Sequence, residues 1–331
     1  MPDVNNTDCI VLQGGRVIDG TGGSVIENGS LLIRGDSIEA VGQQDEISVP
    51  PETQILDVKG MTLLPGMIDS HVHLYWNGEP NLALHVWKES TAMRSIKAVT
   101  WIQRSIRAGF TTLRSAGEKA YLDVALRDCR ESGLIWGARV VPTGCSISST
   151  GGHADLYPPW LSRSDEIPMV VDGIAECLRA VRKQIKMKVE WIKFHASGGV
   201  MDPFSDPKYQ EFNDKEVQAI VDEAHGRGKL VFAHAQGSGG IRAAVKAGVD
   251  SIEHGMFLED DIIEEMIKKN VSLCPTLIAL HRINEAGEKG GIPAESAAKG
   301  KIMAEAHVKS FQKACQAGVR IIMGTDCGSP Y

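Results

Sequence analysis

The sequence is short of several things, and each shortage removes a class of function. It has no basic excess: 42 acidic residues outnumber 35 basic ones, the formal charge is -7, and no basic run occurs. A nucleic-acid partner needs a positive face for its phosphates, so small molecules are the expected ligands. No stretch approaches the roughly 20 apolar residues that span a bilayer, so no membrane partner is expected. The N-terminus, MPDVNNTDCIVLQ, lacks both the basic and the apolar regions of a secretory leader. The seven cysteines are odd in number, scattered, and never spaced C-x-x-C, which argues against a disulfide scaffold and against a thiolate zinc site. Together these features predict a cytoplasmic protein in a reducing compartment. Aromatic residues are only 5% of the chain and offer no obvious stacking platform apart from Tyr75, Trp76, Tyr157 and Trp160.

What is present is an ordinary globular composition, 43% hydrophobic and 23% charged over 331 residues, with 35 glycines. That length suits one large α/β domain or two ordinary ones and is compatible with a homo-oligomer. Residues 1–60 contain short strand-like runs divided by turn chemistry, as at Gly14-Gly15, Asn28-Gly29 and Gly35-Asp36. They read as a small β unit. Residues 61–331 alternate apolar runs with amphipathic stretches such as DKEVQAIVDEAHGRG and EDDIIEEMIKKN, the signature of repeated βα units. Eight such runs make a (β/α)8 TIM-like barrel the leading α/β architecture. A doubly wound sheet is second, because no Gly-rich phosphate turn follows the first run.

In a parallel barrel the functional groups sit at the C-terminal ends of strands. Strand one ends in His71-Val72-His73, strand four contains Lys193 and His195, and strands five, six and eight end in His234, His254 and Asp326. Residues two apart on a strand point the same way, so His71 and His73 can converge on one ion. Imidazole and carboxylate donors suit zinc. A single strand-end histidine is more often structural than ligating, and it is the recurrence at five strand ends that points to metal. His225 and His307 lie on helical stretches and read as structural.

The motifs PGMIDSHVHL (65–74), EWIKFHASGG (190–199), FAHAQG (232–237), SIEHG (251–255) and GTDCG (324–328) resemble those of the amidohydrolase superfamily of metal-dependent hydrolases. Within it the chain looks most like the branch of dipeptidases, N-acyl amino acid hydrolases and imidazolonepropionase-related proteins. The resemblance covers essentially the whole chain, including a β-sandwich lead-in. It implies two divalent ions, zinc foremost, with His71, His73 and Asp326 holding one and His234 and His254 the other. Lys193 would bridge them as a carbamate, which turns a cation into an oxygen anion. The implied reaction is attack of a metal-bridged hydroxide on an amide of a dipeptide or N-acyl amino acid, with Asp326 as proton shuttle. A cyclic-amide hydrolase or deaminase, and a non-catalytic relative, are the alternatives.

Outside the ligand set, His153 follows a Gly-Gly pair, as a carbonyl-polarising histidine does in related dipeptidases. Gln236 stands where many peptidase relatives have tyrosine, and both are candidate substrate contacts. His195 is a pocket-lining candidate, Arg114 is structural, and the loop DLYPPWLS is a possible lid. Relatives continue beyond the strand-eight aspartate. An incomplete form is therefore expected, lacking the last barrel helix and part of the sandwich, with apolar surface exposed beside strands one and eight and on residues 8–60.

Overall fold

The computed structural model describes residues 9–82, 88–156, 160, 168–202 and 205–330. Their contacts divide the chain after Met67 into two units.

The first unit is a single sheet. Strands β1 (Cys9–Val17), β2 (Ile26–Arg34), β3 (Ser37–Gln43) and β4 (Gln54–Asp57) are ordered β3-β2-β1-β4, and β5 (Thr62–Leu63) also pairs with β1. The pairs β1–β2 and β2–β3 are antiparallel, and β1–β4 is parallel. Gly29 is dictated by packing, since a Cβ there would lie 2.6 Å from Val17 Cγ2. Cys9, Val11, Val17 and Leu32 are buried, while Ile38, Ile55, Met61 and Leu64 are exposed.

The second unit carries the βα alternation. Its strands are β6 (Met67–Val72), β7 (Phe110–Ser115), β8 (Arg139–Val141), β9 (Ile147–Ser148), β10 (Met169–Val170), β11 (Trp191–His195), β12 (Leu230–Ala235), β13 (Ser251–His254) and β14 (Ser272–Cys274). Its helices are α1 (Thr91–Arg107), α2 (Leu122–Glu131), α3 (Gly173–Lys186), α4 (Asp214–His225), α5 (Ser238–Ala247), α6 (Asp260–Lys269), α7 (Leu277–Ala286) and α8 (Ala294–Ala317). One sheet runs β10-β9-β11-β12-β13-β14 with parallel pairings, and a second runs β6-β7-β8.

Strand alternation separates core from site. Ile192 and Phe194 of β11 are fully buried in the main apolar cluster with Val181, Ile220, Val231, Ile252 and Leu273. The intervening Lys193 and His195 face the other way and line a cavity. The helices end where local chemistry demands: α4 starts at a capping box of Asn213 and Glu216, and α5 stops at Gly248 with φ 90°.

The eighth expected strand, residues 319–325, is not a continuous strand. It is hydrogen-bonded at points to both flanking strands. Leu273 N donates to Arg320 O at 2.9 Å and Ile322 N to Leu273 O at 2.9 Å on the β14 side. Ser70 N donates to Met323 O at 2.8 Å and Asp326 N to His71 O at 2.7 Å on the β6 side. Asp69 fixes the same segment by accepting from Thr325 N at 3.0 Å and Thr325 Oγ1 at 2.5 Å. Among the described residues no helix is long and apolar enough to cross a membrane.

Candidate active site

Register brings the strand ends together. His195 of β11 is the Cα partner of His234 on β12, and Ala235 is the partner of His254 on β13. Strict alternation would send His254 to the opposite face from Glu253, yet its ring lies 4.6 Å from that of His234. The left-handed backbone at His254, φ 71°, turns it back. Thr276 (φ 48°) and Asp326 (φ 61°) share this uncommon conformation at the ends of neighbouring strands.

Ligand atoms of His71, His254 and Asp326 all lie within 4.8 Å of one another. His73 Nε2 is 3.3 Å and His71 Nε2 3.6 Å from Asp326 Oδ1. His234 falls instead into a group with His153 and His195, again within 4.8 Å. Lys193 lines the same cavity of about 100 Å³ as all of these residues and Gln236. Trp76 is on its wall, Trp160 is exposed, and Tyr157 lies outside the described residues, as does most of the DLYPPWLS loop.

Hydrogen bonds set the tautomers. His73 Nδ1 faces the carbonyl of Gly117 at 3.3 Å, so it is the donor and Nε2 keeps its lone pair. His71 Nδ1 donates to Glu253 Oε2 at 2.6 Å, which likewise leaves Nε2 open toward Asp326. His254 Nδ1 pairs with Thr276 Oγ1 at 2.7 Å. In His234 the order is reversed: Nε2 donates to Gly198 O at 3.1 Å and Nδ1 holds the lone pair.

The electrostatics keep these imidazoles neutral. Burial, reinforced by Lys193, lowers His71 to about 4 and His153 to about 3. Burial and the neighbouring imidazoles hold His195, His234 and His254 well below 6.5. Burial alone would raise Asp326, but the imidazoles of His73, His71 and His254 set against its carboxylate hold it far below the usual carboxylate range. Lys193 is pushed down to about 8, chiefly by burial. Its Nζ has no hydrogen bond or ion pair among the described residues and lies 4.8 Å from the Phe232 ring centroid.

Comparison with known proteins fits this geometry. A model of the amidohydrolase family matches residues 62–330. The chain belongs to the amidohydrolase family. It is 30% identical to ochratoxinase of Aspergillus niger, over 96% of this chain and 68% of that protein. Among solved structures, a prolidase complexed with N-methylphosphonate-L-proline superposes with a TM-score of 0.88 at 32% identity, covering 96% of this chain and 78% of that one. A Xaa-Pro dipeptidase with bound methionine gives 0.88 at 31% identity, covering 98% and 80%. Amidohydrolases generally use divalent metal, and neutral imidazoles beside an ionised carboxylate are donors that suit such ions. The family and these hydrolase neighbours support amide-bond hydrolysis.

Three residues that sequence reasoning passed over or left aside support the site. Glu253 is fully buried and joins His71 to Arg114, whose Nη2 donates to Glu253 Oε1 at 2.9 Å. Arg114, expected to be structural, also donates from Nε to Ser70 O at 2.7 Å and stacks between Trp191 and Phe232. Alternation along SIEHG, with Ser251 and Glu253 on one face, was the available signal for Glu253. Glu211 supports the His153 loop by accepting from His153 N at 2.5 Å, and Gly199 has no Cβ because one would lie 2.2 Å from the His153 ring. His225 and His307 are structural, bonded to Asp250 Oδ2 at 2.9 Å and Pro275 O at 2.6 Å.

Burial raises the Glu211 carboxyl from 4.5 to about 8. Between those values the unfolded chain has lost a proton that the folded chain keeps, so folding stability falls as pH rises across that window and levels off above it. Glu211→Gln, which keeps an acceptor for His153 N but never ionises, is expected to match the wild type near pH 4.5 and to exceed its melting temperature above pH 8. A melting difference that does not grow across this range contradicts the assignment.

Proposed function

We propose that this protein is a binuclear, metal-dependent hydrolase that cleaves the amide bond of dipeptides or N-acyl amino acids. Lys193 carries the reading: it is a buried amine without a polar partner among the described residues, set in the cavity walled by His71, His73, His234, His254 and Asp326. Charging such a group costs free energy, whereas its uncharged form adds carbon dioxide to give a carbamate with two oxygen donors. His71, His73, His234, His254, Asp326 and carbamylated Lys193 would hold two ions, zinc suiting the imidazole-rich set best. When bound, such ions polarise a scissile carbonyl and acidify water to near-neutral pKa.

The chain's own residues then do the following work. Glu253 and Gly117 O orient His71 and His73 through their Nδ1 protons. Asp326 accepts a proton from the attacking water and returns it to the leaving amine, which its position beside the ligand set allows. His153 and Gln236 contact the substrate from the cavity wall. The dipeptidase among the structural neighbours supports a dipeptide substrate. The barrel reading of residues 61–331, with residues 1–60 as a separate β portion, is part of the same proposal, as is a cytoplasmic setting, which agrees with seven free thiols.

The test is a hydrolysis screen of dipeptides and N-acyl amino acids with metal content measured on the same sample. Chelation is expected to remove activity together with both ions, and zinc to restore them together. Activity that survives removal of all metal overturns the proposal.

A further inference from the structure

Beside the metal-ligand set, the cavity contains buried polar atoms with no hydrogen-bond partner among the described residues: both ring nitrogens of His195, Oε1 of Gln236 and Nδ1 of His153, which lies 3.8 Å from Asp202 Oδ2. His195 is 5% and Gln236 4% exposed, and both line the cavity from adjacent strand ends. Leaving a buried polar atom unsatisfied costs free energy, so these atoms are matched to something that enters the cavity.

A third metal ion does not suit them. The His153 and His234 rings are stacked, with centroids 4.2 Å apart and planes 17° from parallel. A nitrogen lone pair lies in its ring plane, and an ion about 2 Å from each nitrogen cannot occupy two parallel planes so far apart. A carboxylate does not suit them either. It has no proton for Gln236 Oε1. The charged side chains among the described residues lining the cavity are Lys193, Asp202 and Asp326, so an anion meets two carboxylates and one lysine already committed to the ligand set. The rest of the wall near β11 is apolar, with Val200, Met201, Met256 and Leu280.

We propose that His195 and Gln236 form a specificity subsite for an uncharged group that both donates and accepts hydrogen bonds, a carboxamide or a hydroxyl, adjoining the scissile amide of the substrate. The proposal rests on the amide-hydrolase reading and narrows it. A neutral imidazole offers one donor and one acceptor, and Gln236 Oε1 adds a second acceptor. A carboxamide or a hydroxyl supplies both a donor and an acceptor for these atoms, whereas a methyl in place of the hydroxyl leaves them unpaired, a loss that polar sites convert into strong discrimination.

The experiment uses two matched pairs: N-acetyl-leucinamide against N-acetyl-leucine, and N-glycolyl-leucine against N-propionyl-leucine. In at least one pair the zinc-loaded wild type is expected to favour the uncharged hydrogen-bonding member by about tenfold or more in kcat/KM. His195→Leu and Gln236→Met should each collapse that ratio with metal content and melting temperature unchanged, and His195→Asn should restore part of it. Calorimetric binding of the same compounds reads the preference without turnover. Failure of the wild type to hydrolyse any of them therefore counts against the amide-hydrolase reading alone. A ratio, in turnover or in binding, that is the same in wild type and in folded, metal-loaded His195→Leu overturns the subsite.

Discussion

Lys193→Ala is expected to lower bound metal from two ions per chain to one or none, and to reduce kcat/KM on any substrate the wild type accepts by on the order of 10³, about 4 kcal/mol of transition-state stabilisation. The reasoning starts from burial. Lys193 is 2% exposed, and its amine is pushed down to about 8 chiefly by desolvation. A larger fraction of it is therefore uncharged at neutral pH than of an ordinary lysine, and only the uncharged amine can add carbon dioxide. Alanine removes the amine and both oxygens it would carry, leaving Asp326 as the one anionic donor of the proposed ligand set. A small carboxylic acid such as propionate, placed in the space vacated by the side chain, should recover part of both the metal content and the rate. His225→Ala serves as the control: that histidine is half-exposed and paired with Asp250 away from the cavity, so its loss should leave both readouts near wild type. Full activity with one ion per chain in Lys193→Ala would mean that the lysine is not a bridging ligand.

Much of this site was legible because its residues are chemically conspicuous. Histidine, lysine and aspartate recurring at the ends of five apolar runs are hard to explain structurally as a set, and parallel βα units place those ends on one face. The helices were equally legible, since amphipathic period and end signals coincide, as at Asn213 and Gly248. Residues 319–325 were read as a strand from apolar content, but their pairing depends on what lies to either side, and they bond only at intervals to β14 and β6. The grouping of the histidines was not legible either. The left-handed backbone at His254 carries it toward His71 and Asp326, and the sequence SIEHG gives no sign of that turn. Glu253 was overlooked because the adjacent His254 drew the ligand reading and a glutamate beside it reads as surface. The register, which pairs it with His234, fixes the inward direction that alternation with Ser251 only suggested.

The largest effect on folding is expected at that same glutamate. Glu253 is fully buried, and Arg114 is 5% exposed. Burial alone would raise the Glu253 carboxyl, but the Arg114 charge and the His71 hydrogen bond hold it well below the ordinary 4.5. Glu253→Ala strands a buried guanidinium and should cost about 3–5 kcal/mol of stability, the range for breaking a buried pair from one side. Arg114→Met strands the carboxylate and should cost a similar amount. The double variant Arg114→Met/Glu253→Leu should lose less than the sum of the single losses, because neither charge is then left alone and methionine can still pack between Trp191 and Phe232. The pH dependence has a definite sign. A depressed carboxylate contributes its full stability above 4.5 and loses it as pH falls toward the lower folded value, so the gap between wild type and Glu253→Ala should be constant above pH 5 and narrow in acid. Glu253→Gln separates folding from chemistry: it retains an oxygen for Arg114, but sets an amide NH2 in place of the oxygen that accepts the His71 Nδ1 proton, so that proton is no longer held. Metal affinity should then fall about 10- to 100-fold while most of the stability is kept. If the single losses instead add in the double variant and metal affinity is unchanged in Glu253→Gln, Arg114 and Glu253 act as independent packing residues and have no part in orienting His71.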